Sequence, residues 1–86
     1  AYAGISEPVD NNNVLVWPNP ATDVVFILDE SAYSPMTINI YNTFGNLVTS
    51  QTITQNEINV SQLPSGLYFL EIIAKKTRAV VKLAKL

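Results

Sequence analysis

"LPSGLYFLEIIA", residues 63–74, decides how this chain is read. Pro64 presets φ for a turn and Gly66 closes it. Beyond the turn, Tyr68, Leu70, Ile72 and Ala74 fall on every second residue. At the two-residue period of a strand they form one wholly apolar face. Glu71 lies on the opposite face and marks it as at least partly wet. The stretch therefore predicts a strand with one side on a core and the other towards water.

The same grammar recurs in both directions. "MTINIY" (36–41) alternates, with Met36, Ile38 and Ile40 on one face and Thr37, Asn39 and Tyr41 on the other. "NTFGN" (42–46) after it reads as a hairpin turn, with Gly45 as the residue of positive φ. "LVTSQTI" (47–53) is the most polar candidate and reads as an edge strand. "INV" (58–60) is short, with Ile58 and Val60 on one face. "VVFIL" (24–28) is apolar at every position and predicts a strand covered on both sides. "VLVW" (14–17) stops at "PNP", because Pro18 and Pro20 have no amide hydrogen for a ladder. Seven candidates with turns between them, counting the end of the chain, predict an antiparallel β-sandwich.

The end of the chain, "TRAVVKLAKL" (77–86), is unusual in charge. The basic residues Lys75, Lys76, Arg78, Lys82 and Lys85 all lie within residues 75–86, whereas the seven acids come earlier. As a strand, it places Ala79, Val81 and Leu83 on one face. As a helix, it places Arg78, Lys82 and Lys85 on one side and becomes the basic amphipathic type that lies on anionic membranes. A helix of about ten residues is marginal in isolation, so spacing and length favour the strand.

Composition bounds the rest. With 86 residues, 48% hydrophobic and 14% charged, the chain has room for one domain and is too apolar for a disordered tail. Residues 1–13, "AYAGISEPVDNNN", lack an apolar period and read as a flexible linker. The domain is expected over residues 14–86. The first residues lack the basic and apolar regions of a signal peptide, so an export signal, if used, is expected elsewhere in a longer precursor. A net charge of −2 argues against nucleic acid as a partner. No apolar run approaches the roughly 20 residues of a transmembrane helix.

Chemistry is sparse. The chain has no Cys and no His, so the usual nucleophile–base pairs are missing and no enzyme is expected. Asp29 and Glu30 would point to opposite faces of a strand and read as a polar turn before "SAYSP". "DNNN" (10–13) offers oxygen donors without the spacing, Gly or Glu of an EF-hand loop, and reads as linker. Gly4, Gly45 and Gly66 are isolated and build no phosphate loop. No metal or cofactor is expected. Trp17 and Tyr41 could serve as a sugar-stacking platform, although Trp17, just before the double-proline turn, is expected to pack.

Four stretches in order, "VWPNPATD" (16–23), "INIYNTFGNLV" (38–48), "INVSQLPSGLYFLEI" (58–72) and "VVKLAKL" (80–86), resemble the type A C-terminal sorting domain of the type IX (Por) secretion system. Pro18, Asn19 and Pro20 match its first motif and Gly45 its hairpin glycine. Leu63, Pro64, Gly66 and Tyr68 match the third motif; Lys82 and Lys85 match the basic end. Trp17 stands where the family commonly has Tyr or Phe, and Asn42 where it often has Asp.

The resemblance implies a seven-stranded immunoglobulin-like sandwich. It also implies a function that composition does not show. Such a domain directs an attached upstream cargo protein from the periplasm across the outer membrane. Shuttle proteins and the type IX translocon recognise it, and a sortase-like surface protease removes it. The cargo is then secreted or held at the cell surface on anionic lipopolysaccharide. Val80, Val81, Lys82, Leu83, Lys85 and Leu86 are the candidate recognition residues, with strand addition at an open edge as one mode. The alternative is a carbohydrate-binding or adhesive β-sandwich appended to a secreted enzyme.

Overall fold

The structure, a computed structural model, describes residues 14–29, 35–74 and 78–86. The expected linker at 1–13, the "DNNN" run, Glu30, Lys75 and Lys76 lie outside the described residues. Seven strands follow the predicted order: β1 (Val14–Trp17), β2 (Val24–Asp29), β3 (Met36–Asn42), β4 (Leu47–Ile53), β5 (Glu57–Asn59), β6 (Gly66–Ile73) and β7 (Arg78–Lys85). The end of the chain is a strand, not a helix.

The strands form two antiparallel sheets, β1-β2-β5 and β4-β3-β6-β7. The chain passes back and forth between them, giving the immunoglobulin-like sandwich. β3 and β6 sit at the centre of the larger sheet, and each turns an apolar residue to the core at every second position. Met36, Ile38 and Ile40 from β3 meet Tyr68, Leu70 and Ile72 from β6 and Leu83 from β7. From the smaller sheet, Val25, Ile27 and Ile58 close the core, with Val60 just beyond β5. The polar β4 is an edge strand, as its composition predicts.

The turns follow their chemistry. Gly45 has φ of 85°, a backbone that L side chains rarely adopt. Asn42 organises this hairpin, since its Oδ1 accepts from the amides of Phe44 and Asn46, both at 3.0 Å. Asp would accept the same bonds, which is why Asn42 can stand in its place. At the β5–β6 corner the hydroxyl of buried Tyr68 donates to the Pro64 carbonyl at 2.6 Å. This tyrosine corner ties the turn before β6 to the core, where Leu63 also packs.

Two expectations fail on the smaller sheet. "VVFIL" is not covered on both sides: Val25 and Ile27 are buried, but Phe26 and Leu28 are each 39% exposed. Trp17 is not packed away; it is 46% exposed and its ring stacks on Phe26 at 5.8 Å. The reason is topological. This sheet has one face on the core, and its other face carries Leu15, Trp17, Phe26 and Leu28 outward.

Candidate functional site

The terminal strand β7 pairs along its length with β6, from Ile73↔Arg78 to Gly66↔Lys85. It is the last strand of its sheet, so its other side would offer free amides and carbonyls to a partner. The "PNP" turn and Ala21 after it close that side from Lys82 to Leu86. Asn19 Nδ2 donates to the Lys82 carbonyl at 2.8 Å, and the Ala84 amide donates to Asn19 Oδ1 at 2.9 Å. Two residues further on, just past Pro20, the Ala21 amide donates to the Ala84 carbonyl at 2.8 Å. The Leu86 amide donates to the Ala21 carbonyl at 2.9 Å.

The choice of residues is physical. A carboxamide carries one donor side and one acceptor side, like a peptide group. Flanked by two prolines, which supply no amide hydrogen, Asn19 uses its side chain where a strand would use its backbone. Ala21 completes the closure as an isolated parallel bridge to Lys85 and is itself fully buried. The first and last motifs thus form one assembly, although more than sixty residues separate them. In the sequence, the signal of this closure is an Asn between two prolines, a pattern that by itself reads only as a turn.

The candidate recognition residues divide by face. Leu83 and Val80 are buried, and Val81 is partly buried against the core. These side chains hold the strand. Lys82 and Leu86 are exposed, and Lys85 is half-buried with its Nζ donating to the Leu86 carbonyl at 2.9 Å. Strand addition between Lys82 and Leu86 is blocked by Asn19 and Ala21, so the folded domain offers side chains there rather than an edge. Trp17 and Tyr41 lie on different sheets and build no common platform.

The outer face of the larger sheet carries a polar ladder centred on Glu71. Asn39 Nδ2 and the Tyr41 hydroxyl donate to Glu71 Oε1 at 3.0 and 3.1 Å. Arg78 Nε meets Glu71 Oε2 at 2.6 Å. Ser50 Oγ donates to Asn39 Oδ1 at 2.6 Å, extending the ladder to β4. Burial pushes the Glu71 carboxyl up, but the bonds from Asn39, Arg78 and Tyr41 and the charge of Arg78 hold it below its ordinary value of 4.5.

A group held low in the fold stabilises it above the unfolded value and loses that contribution as pH falls through the folded one. The lead in melting temperature of the native chain over Glu71→Gln is expected to shrink as pH drops from 7 to below about 4. Melts by circular dichroism at both pH values check this; a constant difference would separate Glu71 from the acid sensitivity. The ladder is structural. Among the described residues, no cluster of acidic side chains could hold a metal, and no helix is long and apolar enough to cross a membrane.

Residues 15–85 match the model of a family described as the secretion system C-terminal sorting domain. None of the curated protein sequences matches the chain. Among solved structures, it is similar to PorZ, an essential bacterial surface component of the type-IX secretion system of Porphyromonas gingivalis. The TM-score is 0.65 at 20% identity, over 98% of this chain and 12% of that one. The likeness to PorZ is one of fold, and this chain spans about an eighth of that protein's length.

Proposed function

The chain belongs to the secretion system C-terminal sorting domain family, and from that premise we propose how it acts as the signal on an attached cargo. As a member, it is a type IX secretion signal, which directs secretion through the outer membrane to the cell surface or beyond. A sorting-signal domain is not itself catalytic.

The cargo lies upstream and passes through the periplasm with this domain folded behind it. Shuttle proteins and the translocon read the domain around β7. Lys82 and Leu86 make the contact, with Lys85 beside them. Val80, Val81 and Leu83 act by holding the strand in register. Pro18, Asn19 and Pro20 act by holding its outer side. Gly45, Leu63, Pro64, Gly66 and Tyr68 shape the turns and core that present it. A sortase-like surface protease then cuts in residues 1–13, and the cargo leaves or is attached to anionic lipopolysaccharide. One observation carries this reading: the family match includes both the "PNP" turn and the terminal strand, which the hydrogen bonds of Asn19 and Ala21 join.

A periplasm-targeted fluorescent protein fused ahead of residues 1–86, in a bacterium with a type IX system, tests it. The fusion is expected at the surface or in the medium, and the same reporter without the domain inside the cell. Mass spectrometry of the exported reporter is expected to find its new end within residues 1–13. Retention of the full fusion would refute the sorting role; an intact linker on exported reporter would refute the cleavage.

A further inference from the structure

We infer that the domain docks through the outer face of its four-stranded sheet, at the end carrying Lys82, onto an acidic and partly apolar protein surface. This inference rests on the sorting reading and names the surface that the reading leaves open.

The register places Leu47, Tyr41, Phe69 and Lys82 in one row across β4, β3, β6 and β7. At the usual strand spacing the row is about 14 Å long. Leu67 follows on the same face, paired with Ala84. Leu47 is 55% exposed and Leu67 44%. An apolar strip bounded by charge is the usual anatomy of a docking site, aromatic in its middle and polar at its rim.

The charges indicate the partner. On this face Glu71 is already held by Arg78, Asn39 and Tyr41. Lys82, at the end of the row, makes no ion pair among the described residues. A partner with a carboxylate opposite Lys82 and apolar side chains opposite Leu47 and Leu67 meets this pattern. Strand addition is not the mode here, because Asn19 and Ala21 occupy the outer side of β7 from Lys82 to Leu86. An anionic membrane fits less well, since such binding draws on clusters of about four to eight basic residues and, among the described residues, this face presents Lys82 and the already paired Arg78.

The fusion described above tests the surface with Leu47→Asp, Leu67→Asp and Lys82→Glu. Leu28→Asp, on the outer face of the opposite sheet, is the control. Each of the first three is expected to cut the exported fraction about tenfold or more, with melting temperatures within a few degrees of the parent. Leu28→Asp is expected to export normally. Normal export of the three face variants, or an equal loss with Leu28→Asp, overturns the inference while leaving the sorting role intact. Retention of the unmodified fusion removes both. The isolated domain is expected not to sediment with phosphatidylglycerol vesicles; Lys82-dependent sedimentation would replace the protein partner with a membrane.

Discussion

Removing β7 by ending the chain at Thr77 is expected to leave a polypeptide that does not fold. The deletion takes Leu83, fully buried, and with it Ala79 and Val80, which are also buried. Leu83 alone represents about 2–3 kcal/mol of burial. The ladder from Gly66 to Ile73 loses its partner on one side, and each hydrogen bond contributes a net 0.5–1.5 kcal/mol or so. Asn19 and Ala21 lose their partners together. A chain of this size has a total stability of about 4–13 kcal/mol, so these losses are of the same order as the whole. Circular dichroism should show no cooperative melt, and a protease such as thermolysin should digest the product throughout. A cooperative transition within a few degrees of the parent would show that β7 is an appendage.

This outcome changes how truncation experiments on the signal are interpreted. A fusion lacking residues 78–86 would stay inside the cell whether the strand is recognised or merely required for folding. Substitutions at exposed positions separate the two, because Lys82 contributes little to the core. The basic residues at the chain end are thus divided in role. Arg78 neutralises Glu71 on the sheet, whereas Lys82 lies exposed on β7.

Much of this was legible in the sequence because strands declare themselves by alternation. Met36 to Tyr41 alternates between apolar and polar faces, and Tyr68, Leu70, Ile72 and Ala74 make one face wholly apolar; both stretches became core strands with the predicted faces. Glu71, the polar exception, marked the outer face correctly. The strand β2 misled because a run of Val, Val, Phe, Ile and Leu carries no alternation, so the sequence could not tell a covered face from an exposed one. Trp17 misled for a related reason: a large aromatic next to a turn has no period to place it. The pairing of Asn19 with β7 was out of reach because it joins positions far apart in the chain. Only the fold brings the two together. What the sequence did hold was the chemical clue that both neighbours of Asn19 are prolines. The row from Leu47 to Lys82 was hidden too, since it depends on the register of four strands rather than on any one segment.

Leu70→Ala is expected to decide whether the signal is the folded domain or a linear stretch. Leu70 is fully buried at the centre of β6, between Ile40 of β3 and Val81 of β7. Truncating it leaves a cavity that the rigid sandwich cannot collapse around, at a cost of about 3 kcal/mol. For a domain of this size that lowers the melting temperature by about 12–24 °C. The side chain points inward, so the outer faces, the "PNP" turn and the sequence of the chain end all stay as they are. At a growth temperature where the variant remains folded, its fusion should be exported like the parent. Above the variant's melting temperature but below the parent's, export of the variant should fall at least tenfold while the parent continues. The midpoint of that loss should track the melt measured on the isolated domain. Undiminished export of a melted Leu70→Ala domain would mean that the apparatus reads the terminal residues as an extended segment. In that case neither the closed outer side of β7 nor the row across the larger sheet could contribute, because both exist only in the fold.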